Sequence, residues 1–66
     1  MYINYKGLWK LLIDKDMKKS DLRVLTKMST STLSKLTKDE YVSMDVLVRI
    51  CRVLKCQLSD ICEVEV

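Results

Sequence analysis

Proline is absent from this chain, and glycine occurs once in 66 residues, at Gly7. The two residues that most often interrupt regular backbone are therefore all but missing. A chain of this kind favours helices joined by short connections. With 48% hydrophobic residues and scattered charge, it is expected to form a compact core rather than to stay disordered. At this length only roughly 60% of the unfolded surface can be buried, so one domain over residues 1–66 is expected. No apolar run approaches a membrane span, and the N-terminus lacks the charged, apolar and cleavable regions of a signal peptide. A cytoplasmic location is the expectation.

The stretch from Ser20 to Lys38 carries the most information. Leu22 and Leu25, three apart, mark one short helix, and Leu33 and Leu36 mark a second with the same spacing. Between them runs Ser29-Thr30-Ser31-Thr32. Ser29 suits an N-cap, because its hydroxyl oxygen can satisfy an amide that the first helical turn leaves unpaired. Thr30, Ser31, Ser34 and Lys35 then fall away from the leucines toward solvent. Donors and acceptors in that pattern suit the edges of bases, and helix, sharp turn, helix is the sequence form of a helix-turn-helix.

Around it, Gly7 to Lys15 is predicted as a first helix. Leu8, Leu11 and Leu12 share one face, and Trp9 and Ile13 a neighbouring stripe, so cover on more than one side is expected. Trp9 is read as a core anchor rather than a stacking platform for bases. Asp14 to Lys19 is a charged connection. Asp39 to Val42 lacks periodicity and reads as a loop. Ser43 caps the next helix, whose Leu47, Ile50, Cys51 and Leu54 follow the i, i+3, i+4, i+7 pattern. One further turn is expected around Gln57 to Ile61. The alternation of Cys62 to Val66 predicts a strand whose partner is Tyr2 to Tyr5, giving a small sheet from the two ends.

Composition narrows the chemistry. Residues 1–38 hold nine Lys/Arg against three Asp/Glu, a charge of +6, whereas residues 39–66 hold three against six, a charge of −3. A basic half is the footprint of a polyanion binder. Histidine is absent, no glycine-rich phosphate loop exists, and no cysteine is paired with a base, so an enzyme is not expected. Cys51, Cys56 and Cys62 are odd in number and read as small core residues, with no metal site and no cofactor.

The order, spacing and length of these elements resemble the phage repressor and Cro-like family of DNA-binding domains, from about Lys6 to Ile61. Lys18 and Lys19 hold the places where that family has a polar cap and a glutamine, with Leu22 at its first buried position. Its small-turn-residue, apolar, serine corner is Lys27-Met28-Ser29, and the apolar pair of its recognition helix is Leu33 and Leu36. Its fourth-helix pattern is Leu47, Ile50 and Leu54. The resemblance implies an all-α, five-helix, lambda-repressor-like helix-turn-helix fold, to which the two termini add a short two-stranded sheet. The family usually has glycine at the inter-helix corner, after the third helix and after the fourth. Lys27, Asp39 and Lys55 stand there, which implies positive φ at three non-glycine residues. Arg23 stands where a small alanine is common.

The implied function is that of a sequence-specific, DNA-binding transcriptional regulator reading the major groove with the helix around Thr30–Thr37. Ser29, Thr30, Ser31 and Lys35 are then the base-contacting residues. Lys18, Lys19, Ser34, Lys38 and Tyr41 are the phosphate-contacting ones, with the amides at the start of the second helix. The expected partners are double-stranded DNA and a second copy in a homodimer, through Val53, Leu58, Val64 and Val66, with no membrane and no small-molecule substrate. The alternative is a protein-interaction module of the same fold, antitoxin-like or a switch protein, without specific DNA binding.

Overall fold

The computed structural model describes residues 2–66; of the Met1–Tyr5 stretch, whose loose alternation suggests a short strand, Met1 lies outside them. The order is β1 (Ile3–Asn4), α1 (Lys6–Asp14), α2 (Lys19–Thr26), α3 (Thr30–Thr37), α4 (Met44–Leu54), α5 (Leu58–Ile61) and β2 (Glu63–Val64). The expected five-helix arrangement is present, and so is the sheet from the termini. β1 and β2 are antiparallel, with Ile3 opposite Val64 and Asn4 opposite Glu63. The Glu65 amide adds a hydrogen bond to the Tyr2 carbonyl at 2.7 Å.

Both serine caps form. The Ser29 hydroxyl accepts the Thr32 amide at 3.2 Å, and the Ser43 hydroxyl accepts the Val46 amide at 3.3 Å. α2 and α5 start differently, each with an aspartate in the first turn reaching back. Asp21 accepts the Lys18 amide at 3.0 Å, and Asp60 accepts the Gln57 amide at 2.9 Å. In both cases a carboxylate faces the positive end of the helix.

The helix ends share one solution. After each of α1 to α4, one residue turns left-handed: Asp16 (φ 56°), Lys27 (58°), Asp39 (57°) and Lys55 (54°). The following amide then reaches back five residues, Met17 to Leu12 at 2.9 Å, Met28 to Arg23 at 3.2 Å, Glu40 to Lys35 at 2.9 Å and Cys56 to Cys51 at 3.0 Å. This is the Schellman closure, usually built on glycine. Lys27, Asp39 and Lys55 behave as expected; Asp16 is a fourth case that the sequence did not reveal.

The core consists of Tyr5, Leu8, Leu12, Leu22, Met28, Leu36, Leu47, Ile50, Leu54 and Ile61. Two expectations fail at its edge. Leu25 is 56% exposed and Ile13 is 76% exposed. The inward line of α2 runs from Leu22 to Thr26, four residues on, and leaves Leu25 on the opposite side of Leu22. Thr26 is buried because its hydroxyl donates to the Leu22 carbonyl at 2.7 Å. α1 is covered on the Leu8–Leu12 line, with Trp9 and Leu11 half-buried beside it.

Gly7 is a steric requirement in a helix rather than a breaker. A Cβ there would lie 2.3 Å from the Asp60 carbonyl oxygen, so α1 rests directly on the backbone of α5. Gly7→Ala should lower stability by about 1–3 kcal/mol, because overpacking outweighs the better helix propensity of alanine. Urea denaturation reads this directly, and an unchanged midpoint would mean that α5 can shift.

The left-handed ends give a sharper test. Lys27→Gly and Lys55→Gly should be neutral or stabilising by up to about 1 kcal/mol, since glycine relieves the Cβ clash at positive φ. Asp39→Gly has the same φ but should destabilise, because its carboxylate accepts the Tyr5 amide at 3.3 Å. Denaturation of the three variants separates the two effects. Equal behaviour of all three would show that backbone conformation alone decides.

Candidate nucleic-acid interface

Helical geometry gathers the hydroxyls and lysines of α3. Thr30, Ser31, Ser34 and Lys35, followed by Lys38 at the end, fall on one side of the axis. Leu36 and the half-buried Leu33 fall on the other, toward the core. All five polar residues are exposed. Among the described residues the one ion pair joins Asp45 and Arg49, so Lys18, Lys27, Lys35 and Lys38 carry charge with no carboxylate against it.

The expected base-contacting residues divide by what holds them. The Ser29 oxygen caps α3 and lies 2.9 Å from Ser31 Oγ and 3.0 Å from Thr32 Oγ1. Ser29 and Ser31 are thus held by the helix start, whereas Thr30 and Lys35 project freely. Of the expected phosphate-contacting residues, Lys38 terminates α3 and Ser34 lies mid-face. Tyr41 is exposed in the loop before α4. Lys18 stands at the N-cap of α2, and Lys19 lies with its ammonium 4.4 Å from the centre of the Trp9 ring. Trp9 is half-buried against the core with this cation over it. The amides at the start of α2 are not all open to an anion, since Asp21 accepts one of them.

Two residues that hold this surface in place escaped the sequence reading. Arg49 donates from Nη1 to the Thr26 carbonyl at 3.4 Å and is itself held by Asp45. Its i, i+4 spacing to Asp45 was the available signal; its contact with the corner between α2 and α3 was not. Tyr5 is fully buried, and its hydroxyl donates to the Glu40 carbonyl at 2.8 Å, just beyond α3. One end of the α2–α3 unit is thus tied to α4 and the other to the N-terminal segment.

A sequence profile described as the Cro/C1-type HTH DNA-binding domain matches residues 7–66. The chain belongs to that family. Among solved structures it is similar to the transcriptional regulator VanUg, with 52% identity and a TM-score of 0.92, covering 94% of this chain and 83% of that one. Comparison with curated proteins finds no match. Within the family's fold, α2 and α3 are the helix-turn-helix, and this Cro/C1-type domain builds its corner from Lys27 rather than glycine. No described helix is long and apolar enough to cross a membrane.

Burial pushes the Tyr5 phenol above its ordinary pKa, and the charges of Cys62 and Asp39 push the same way. The folded protein therefore holds this proton more tightly than the unfolded chain does. Its contribution to stability is complete below about pH 10 and is lost as pH rises through and beyond that value. Tyr5→Phe should cost about 1–3 kcal/mol at neutral pH by leaving the Glu40 carbonyl without its partner. It should also flatten the alkaline fall in stability. Denaturation midpoints from pH 7 to the alkaline limit check both parts; a parallel fall in the two proteins would remove Tyr5 from the titration.

Proposed function

We propose that residues 1–66 act as one domain that recognises a specific duplex DNA sequence and regulates transcription, in the cytoplasm and as a homodimer. The observation that carries the reading is the exposed polar face of α3, whose lysines have no carboxylate against them, set on a Cro/C1-type helix-turn-helix. In this reading α3 lies in the major groove. Lys35 donates to guanine O6 and N7, and Thr30 and Ser31 meet base edges or a thymine methyl, with Ser29 at the edge of the contact. Lys18, Lys19, Ser34, Lys38 and Tyr41 hold phosphates and set the register. The likeness to a transcriptional regulator supports regulation rather than catalysis.

Dimerisation follows from the reach of one helix, which reads only a few base pairs. Two half-sites about one helical turn apart supply the remaining specificity. Val53, Leu58, Val64 and Val66 are the proposed contact, and the last three are exposed. Sedimentation of the free chain and of its complex on a palindromic site tests it; a strictly one-to-one complex would refute the dimer.

DNA binding is tested with operator variants titrated at two salt concentrations, starting from DNA upstream of the chain's own gene. Lys35→Ala should cost about 1–3 kcal/mol on the operator and relax preference at one position. Lys38→Ala should weaken all sequences alike and reduce the salt slope by about one, because each phosphate contact releases counterion. Exchange of these two outcomes would misplace α3. Affinity too weak to measure at low salt, on any duplex, would instead favour the protein-interaction module.

A further inference from the structure

One face of α4, from Met44 to Arg52, and the start of α5 border a groove of about 430 Å3, lined by the apolar Met44, Val48 and Leu58 and by Cys51 and Cys56. We propose that Cys51 and Cys56 are a modification site, a thiol pair that a small-molecule disulfide oxidises to an intrachain disulfide across the left-handed end of α4. The pairing comes from the helix closure. In a Schellman motif the residue after the left-handed one contacts the residue whose carbonyl it reaches. Here those two residues are Cys56 and Cys51, joined by a backbone hydrogen bond of 3.0 Å. Such a bond keeps their Cα atoms within the range of roughly 4.4–6.8 Å that a disulfide spans. Both thiols are free and half-buried. Cys62 also lies near Cys51, but its thiol donates to the Leu58 carbonyl at 3.6 Å, back along α5.

The reaction needs one external disulfide. One protein thiolate attacks it, forming a mixed disulfide and expelling a first thiolate. The second protein thiolate then attacks the protein sulfur of that mixed disulfide and expels the second. Two electrons pass to the reagent, and the two thiol protons end on its two thiols. Burial and the neighbouring Cys51 push the Cys56 thiol above its ordinary pKa, so the reaction should accelerate with pH beyond the usual thiol range.

The test treats the reduced full chain with oxidised glutathione, alkylates what remains and maps tryptic fragments. The expected product has lost two hydrogens, joins the fragment Ile50–Arg52 to Cys56–Val66, and carries its single alkyl group on Cys62. Cys62→Ser should form the same bond at a rate within about twofold, and Cys56→Ser should form any intrachain bond at least about tenfold more slowly. Three alkylated thiols, a glutathione adduct that never closes, a Cys51–Cys62 bond or a disulfide between chains would each overturn the proposal. The wild-type map decides by itself if a variant fails to fold.

Discussion

The buried ring of Tyr5 is where separate parts of the chain are made into one body. Its amide donates to the Asp39 carboxylate at 3.3 Å, its hydroxyl to the Glu40 carbonyl at 2.8 Å, and its own carbonyl accepts the Trp9 amide at 3.3 Å. One residue thereby starts α1, follows β1, and fixes the segment that leaves α3. The arrangement depends on Asp39 being left-handed, because that turn sends residue 40 back toward the N-terminal segment. A polar group buried this deeply is stable only with its partners in place, so the bond to Glu40 specifies position as well as adding stability.

The same economy of breakers shapes the rest of the fold. Four helices end on left-handed residues with a Cβ, each a local cost of about 1–2 kcal/mol for lysine and less for aspartate. They persist because each closure satisfies carbonyls that a helix end would leave open and because, after Asp16, Lys27 and Lys55, the next residue along the chain packs inward. Met17 and Cys56 are half-buried, and Met28 is in the core. The one glycine is placed where two backbones approach too closely for any side chain. Conformational freedom and lack of bulk, the two properties of glycine, are thus needed at different places, and this chain uses glycine for the second alone.

What could be read in the sequence was what is local. Ser29 and Ser43 were identifiable as caps because the bond they make closes within three residues. α4 was identifiable because its apolar residues repeat over three turns. Lys27, Asp39 and Lys55 were assigned positive φ only through the family resemblance, since nothing in a lysine announces a left-handed turn. Asp16 went unseen for the same reason. Leu25 was misjudged because a leucine spacing of three fits an inward line on either side of Leu22, and an eight-residue helix has too few turns to choose. Ile13 was misjudged because α1 buries only its Leu8–Leu12 line, which five apolar residues between Leu8 and Ile13 do not single out. The clamp at Tyr5 spans more than thirty residues and has no local signature. For the candidate interface, the residue types on α3 were legible, whereas the supports at Arg49 and Tyr5 were not.

These supports explain how so small a domain can present a polar helix in a fixed place. The last carbonyls of α2 have no backbone partners within the helix. Those of Arg23 and Val24 are taken by Met28 and Lys27, and Thr26 is left to Arg49. A guanidinium there also faces the negative end of the α2 dipole. At the far side of α3, Tyr5 holds residues 39 and 40. The eight residues of α3 therefore run between two anchors, with Met28, Leu33 and Leu36 facing the core between them. No element needs to cover the opposite face to keep the helix in position. Its hydroxyls can stay exposed and its lysines without a carboxylate partner at no cost to the fold, and a partner that meets them meets a backbone already ordered. Binding then has side chains to order but no helix to form, which removes the larger part of the entropy that a flexible segment of this length would lose.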